Sequence, residues 1–332
     1  MRLIIVKLLP AFLCIIILGC GRIDILAPAF IGFIRGEEEK EAKVSEIPAP
    51  PEELGHAVVL VNRPGYDSEP HYSAALDAIV FVSDSAGSKD IWRVSRSGTG
   101  LSQLTTSLKQ ETTPVWNPIG NTIAYTSDSL GNQDIWLMSN TGTNKRALTN
   151  NPADDLMPDF SPDGNQIAFT SNRSGKLEIW IMPVSGGAAT QITNDPLNNN
   201  FRPRWAPNGS TIAYVSTRSG KNEIWMVTVP GGTPERIIPQ SGNSSDNDMP
   251  VWSPSGNFLA FISTMSGNWD IWIKEFSAGL PRVLPPVRVT LHSGFDTGPT
   301  WLANDSGLIF ASNRSGDLNI WMMTFFKPLA EK

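Results

Sequence analysis

The stretch Pro158-Asp159-Phe160-Ser161-Pro162-Asp163-Gly164-Asn165-Gln166-Ile167-Ala168-Phe169-Thr170-Ser171-Asn172-Arg173-Ser174-Gly175-Lys176-Leu177-Glu178-Ile179-Trp180 is one copy of a pattern that the chain repeats six times. Its outer marks are a proline and, 22 residues later, a tryptophan: Pro70/Trp92, Pro114/Trp136, Pro158/Trp180, Pro203/Trp225, Pro250/Trp272 and Pro299/Trp321. Successive prolines lie 44 to 49 residues apart. A period of that length is the signature of propeller blades, in which one supersecondary unit is copied around an axis.

Inside each copy further positions hold. Thirteen residues after the proline stands Ser83, Ser127, Ser171, Ser216, Ser263 or Ser312, and seventeen after it Gly87, Gly131, Gly175, Gly220, Gly267 or Gly316. Twenty residues on come Asp90, Asp134, Glu178, Glu223 and Asp270, with Asn319 as the neutral last member. Apolar runs such as Ile123-Ala124-Tyr125 and Ile212-Ala213-Tyr214 are short and bounded by Ser, Asn, Asp and Gly. Runs of this length and composition predict strands rather than helices. Each copy therefore reads as four strands. Strand A carries Pro-x-aromatic, strand B the Ile-Ala-Tyr run, strand C the Ile-Trp pair, and strand D ends in Leu-Thr or its equivalent, as at Leu104-Thr105. The glycine between B and C stands where a hairpin needs a positive φ. The serine and carboxylate beside it are expected to satisfy N–H groups of that turn.

The run from Ser161 to Arg173, followed by Glu178-Ile179-Trp180, resembles the β-propeller repeat of TolB and its relatives in the bacterial envelope. The resemblance recurs in all six copies and covers about 57–326. It implies an all-β, WD-like ring that binds other envelope proteins. Two copies depart in the A–B turn: the first has Ala74 to Asp77, and the sixth has Ala303-Asn304-Asp305-Ser306-Gly307, so those turns are expected to differ in shape. The TolB family proper carries a folded domain ahead of its propeller, for which this sequence offers no counterpart.

A propeller has to close, because an open ring exposes sheet edges. The sixth copy lacks a strand D, whereas Ala57-Val58-Val59-Leu60-Val61 precedes Pro70 at the offset that strand D keeps elsewhere. The expectation is a six-bladed β-propeller of four-stranded antiparallel blades, closed by an N-terminal strand that completes the last blade.

Ahead of the repeats, Arg2 and Lys7 precede the apolar stretch Leu8 to Leu18, and Ile17-Leu18-Gly19-Cys20 resembles a lipobox. Such a segment reads as a signal, since a membrane span needs roughly 20 apolar residues. The resemblance implies cleavage after residue 19 and acylation of Cys20, which would anchor the protein to a membrane of the bacterial cell envelope, facing the periplasm or the surface. Residues 20–56, with Glu37-Glu38-Glu39-Lys40-Glu41 and Pro48-Ala49-Pro50-Pro51, read as a solvated tether. The propeller then occupies 57–326 and a short tail 327–332.

Only Cys14 and Cys20 occur, so the ring is expected to hold by packing without a disulfide. Charged residues make up 17% of the chain and the formal net charge is −6. That balance gives no electrostatic reason to expect nucleic acid, and a monomeric ring is the expectation. His56, His71 and His292 are the three histidines. They do not form a zinc motif, and no nucleophile elbow or phosphate loop occurs, so no catalytic residue, metal or cofactor is expected. A serine or carboxylate present once per blade reads as structural.

Chemistry is sought where the copies differ. Of eleven tryptophans, ten fall on the repeated strand A and strand C positions. Trp269 alone stands in a B–C turn, either as a contact residue or folded back onto a neighbouring turn. The longer D–A connections Asn194 to Arg202 and Pro239 to Asp248 are expected on its face. The residues flanking the repeated proline should ring the axial channel, where Glu69, His71, Asp159, Arg202 and Arg204 could bind a peptide, a carboxylate or a sugar. Asp159 and the arginines could equally pair between blades. The reading is a non-catalytic envelope module that grips another envelope protein or peptide at the channel mouth on the Trp269 face. The alternatives are a glycan-binding lipoprotein and a propeller enzyme acting on polysaccharide, for which His71 is the best-placed histidine.

Overall fold

The computed structural model describes residues 4–8, 12–19, 22–25, 54–238, 245–326 and 329. The chain divides into two units, Met1–Pro50 and Pro51–Lys332. In the first, Ile4–Leu8, Phe12–Gly19 and Arg22–Ile25 form an antiparallel meander. Cys20 and most of the expected tether lie outside the described residues. Among the described residues no helix is long and apolar enough to cross a membrane.

The second unit is the six-bladed ring. Each blade is an antiparallel sheet in the order A-B-C-D. In the third blade these strands are Asp155–Phe160, Gln166–Ser171, Glu178–Pro183 and Thr190–Gln191. Strand B is buried on both faces, because each blade is covered by its two neighbours. In Ala78–Ser83 all six residues are buried. The apolar clusters accordingly lie between blades: Ile167 and Phe169 of the third pack with Val115, Ala124 and Ile135 of the second.

The closure is as the offset predicts. Gly55–Val61 pairs antiparallel with Asp317–Phe325, placing Val61 opposite Ile320 and Val59 opposite Trp321. The strand starts at Gly55, two residues before the expected boundary, and takes His56 with it. Leu54 is already buried in the cluster between the last two blades. The fifth blade's C–D insertion folds into a small hairpin in which Phe276 faces Pro281.

Turn chemistry follows the repeat. All six B–C glycines have positive φ, between 81° and 111°. The preceding serine caps the turn, as where Ser171 Oγ accepts the N–H of Arg173 at 3.3 Å. The carboxylate does something else: Asp90 and Asp134 accept the hydroxyls of Thr105 and Thr149 at 3.0 Å, tying strand C to the end of strand D. The sixth A–B turn is a short 3-10 turn over Ala303–Asp305 with Asn304 at φ 56°.

Candidate binding site

Proline has no N–H to give to a ladder, and each repeated proline sits in a bulge of strand A. The register slips between Ser68 and His71, Leu156 and Asp159, Phe201 and Arg204, and at the equivalent place in the other blades. The residue before each proline is left-handed: Glu69, Thr113, Met157, Arg202, Met249 and Gly298 have φ between 49° and 58°. Five of the six are not glycine, a conformation that costs roughly 1 kcal/mol or more each. Bonds between blades hold it. Thr113 N–H donates to Glu69 Oε2 at 2.8 Å, Met157 N–H to Thr126 Oγ1 at 3.2 Å, and Arg202 N–H to Thr170 Oγ1 at 3.1 Å.

These bulges narrow the axis to a constriction of about 40 Å³, lined by Glu69, His71, Thr113, Arg202, Arg204, Met249 and the neighbouring prolines. On the side of the B–C turns, an offset hollow of about 100 Å³ is lined by Tyr66, Ser68, Glu69 and Lys89 among others. On the side of the A–B turns the channel widens to about 310 Å³. The Pro-x-aromatic residues of all six blades, Tyr72, Trp116, Phe160, Trp205, Trp252 and Trp301, wall this funnel, with Pro118, Pro162, Pro207 and Pro254 at its lip. His71, Asp159, Arg204 and Thr300, each the residue after a repeated proline, are polar groups of its lining. The roomier mouth is thus on the face opposite Trp269.

The residue after the proline also staples blades. Trp205 N–H donates to Asp159 Oδ2 at 2.7 Å, Trp116 N–H to His71 Nδ1 at 3.2 Å, and Tyr72 N–H to Thr300 Oγ1 at 3.3 Å. With Nδ1 accepting, His71 is the neutral tautomer that carries its proton on Nε2. Burial, with the Arg204 charge nearby, lowers its pKa from 6.5 to about 3. Burial raises Asp159 from 3.8 to about 6, against the opposing pull of Arg204 and the Trp205 N–H. Arg204 Nη1 stands 3.8 Å from Asp159 Oδ1 and donates to the Pro203 carbonyl at 3.2 Å. Arg202 is paired more tightly, its Nε 3.0 Å from Asp248 Oδ1 of the next blade. The alternative of pairing between blades therefore holds for both arginines, closely for Arg202 and loosely for Arg204.

Glu69, His71, Asp159, Arg202 and Arg204 converge on the axis as expected. Trp269 does not join them: it is half-buried and folds back on the cluster between the last two blades. Its carbonyl accepts the N–H of Asp296, a bond that Lys89, Gln133, Leu177 and Asn222 also make at their junctions. Pro239 to Ser244, in the longest D–A connection, lie outside the described residues. Among the described residues no three His, Cys, Asp or Glu side chains are grouped to hold a metal ion.

Two features escaped the sequence reading. The funnel is one: its aromatics are buried between blades, with Trp116 only 2% exposed, yet their edges meet around the axis. The other is a stack of guanidinium groups on the strand C tryptophans. Arg173, Arg218 and Arg314 lie 5.0, 4.8 and 5.1 Å from the rings of Trp180, Trp225 and Trp321, and Arg63 lies 4.1 Å from that of Trp92. The signal for three of them was an arginine fifteen residues after the proline.

Residues 199–328 match the TolB beta propeller domain, and residues 130–220 match the N-terminal beta propeller domain of Tricorn protease. No curated protein matches the chain in sequence. Among solved structures, a putative TolB from Agrobacterium tumefaciens is similar at a TM-score of 0.60 and 20% identity, over 81% of this chain and 93% of its own. TolB from Acinetobacter baumannii is similar at 0.57 and 21%, over 82% of this chain and 65% of its own. An oligogalacturonate lyase from Vibrio parahaemolyticus is similar at 0.59 and 12%, over 84% and 95%. At these identities the likenesses speak for the ring itself.

Proposed function

We propose that this chain, a β-propeller of the TolB type, is a non-catalytic module of the bacterial cell envelope that holds an extended, carboxylate-bearing segment of another envelope protein in the A–B funnel. The observation that carries this reading is the setting of Arg204. Its guanidinium lines both the funnel and the constriction, is only loosely held by Asp159, and sits among the aromatic side chains of the funnel wall. A partner carboxylate reaching it would form a charge-assisted bond in a weakly screened site. The His71 Nε2–H is a second donor. In this reading Cys20 is acylated and residues 21–53 tether the ring to the membrane.

An enzyme reading draws on the likeness to the oligogalacturonate lyase. His71 would have to be its base, and the hydrogen bond from Trp116 occupies the nitrogen lone pair that such a base needs. That favours binding without chemistry. A glycan acid would suit Arg204 as well, and the test distinguishes it. Photocrosslinking from the funnel lip in intact envelopes should yield one defined protein, lost in Arg204→Ala and retained in Trp269→Ala. Turnover of oligogalacturonate that disappears in His71→Ala would overturn the proposal, as would crosslinks to glycan alone.

A further inference from the structure

At five of the six junctions the first residue of strand A donates its N–H to the carbonyl just before the strand C carboxylate of the preceding blade, and at the sixth Asp67 stands beside Asn319. Two side chains thereby meet at each junction, and their charges can be counted. Asp270 and Asp296 meet Arg288 and Arg314 between blades five and six. Beside Asp134, Asp155 has Arg173; Asn319 and Asp67 have Arg63, and Glu223 beside Asn247 has Arg236. Glu178 is answered by a hydrogen bond from Asn200 at 2.9 Å. Blades one and two alone bring together two carboxylates, Asp90 and Glu111, 1% and 3% exposed, with no cation among the described residues.

Where the third and sixth blades carry Arg173 and Arg314, the second has Ser129, which hydrogen-bonds to Ser127 at 2.8 Å. Glu111 Oε1 accepts Ser107 and Ser127, while Oε2 is buried and has no partner. The aromatic pair that receives the guanidinium elsewhere, Phe169 with Trp180 or Phe310 with Trp321, is present here as Tyr125 facing Trp136. A buried anion without a counter-charge is costly.

The first blade shows that the filling arginine need not come from the same turn. Ser85 stands at its turn position, and Arg63 reaches the slot from the segment that follows the closing strand, lying over Phe81 and Trp92. Three of these slots open to solvent, the side chains of Arg63, Arg173 and Arg218 being 17%, 19% and 24% exposed, whereas that of Arg314 is 8% exposed. We propose that the slot between blades one and two receives an arginine side chain of another protein chain, its guanidinium bridging Glu111 and Asp90 against the faces of Tyr125 and Trp136. Glu111 is one methylene longer than Asp67, Asp155 and Asp296, which pair with Arg63, Arg173 and Arg314 in sister blades. The slot lies on the B–C face, away from the funnel, so this inference stands apart from the proposed function.

L-argininamide is the probe, titrated into the full chain and followed by tryptophan fluorescence and calorimetry. Saturable binding is expected, at least tenfold weaker in Glu111→Gln and lost in Ser129→Arg, whose own guanidinium fills the slot and raises the melting temperature. Ser85→Arg, at a slot already filled by Arg63, should leave binding unchanged. Absence of saturable binding to folded protein would overturn the proposal, as would binding that survives Ser129→Arg. So would saturable potassium or calcium binding that depends on Glu111 while argininamide fails to compete, since the slot would then be an inorganic cation site.

Discussion

Val59, near the start of the propeller, lies opposite Trp321, near its end, in adjacent strands of the last blade. The pairing converts an open row of blades into a ring, and it is made by one strand with no redundancy. A Cβ placed on Gly55 would lie 2.2 Å from the carbonyl oxygen of Thr324 across this seam. Gly55→Val should therefore lower the melting temperature by several degrees, and deletion of residues 57–61 should lower it further and broaden the transition. Calorimetry is the check, and an unchanged melting curve for the deletion would show that the seam does not hold the ring.

The buried Arg314–Asp296 pair, at 2.8 Å, predicts a strongly coupled double-mutant cycle. Arg314→Met leaves Asp296 uncompensated and should cost about 3 kcal/mol in urea unfolding. Adding Asp296→Asn should recover most of the loss, because the fifth blade carries Asn247 and Met265 at these same positions. Additive costs would refute the pairing as the source of the effect.

Asp159 and His71 give stability opposite dependences on pH. From about pH 4 to 6 folded Asp159 keeps a proton that the unfolded chain releases, so its contribution falls as pH rises. Below 6.5 the unfolded chain protonates a histidine that folded His71 leaves neutral down to about 3, so that contribution grows as pH rises. The two slopes offset each other between about pH 4 and 6. Relative to wild type, Asp159→Asn should gain stability as pH rises through this window and His71→Asn should lose it, by up to about 1.4 kcal/mol per pH unit. Urea midpoints across that range decide, and parallel profiles for all three proteins would count against the assignment.

Lys274 is 1% exposed, and its Nζ donates to the carbonyls of Arg282, at 2.6 Å, and Leu284. Burial lowers its pKa. Together with the Arg282–Glu275 pair, this ammonium holds down an insertion whose Leu280, Val283 and Leu284 are exposed. Lys274→Met should strand those carbonyls, cost about 1–3 kcal/mol, and open 278–286 to protease well before the rest of the ring. Uniform resistance to limited proteolysis would contradict that role.

The ring, its blade count and its closing strand were legible because each repeat states its own strands and turns locally. The convergence of Glu69, His71, Asp159, Arg202 and Arg204 was legible from their shared offset to the proline. The choice of mouth was not. It depends on bulges that narrow the channel midway and on how far six large aromatic side chains stand back from the axis, and neither has a signature in residue spacing.

Trp269 illustrates the same limit. Its singularity in the turn was plain, but whether it faced solvent depended on a cluster made with Phe310 and Met323, far along the chain. Arg63 is the converse case, since only the closed ring carries it to Trp92 and Asp67. Periodicity and turn residues are properties of neighbours along the chain, and by themselves they determined six blades and the seam. Which charges are compensated, which nitrogen of His71 is occupied and which end of the channel is wide were decided by tertiary structure, because burial and electrostatic pairing depend on groups that meet only when the ring shuts.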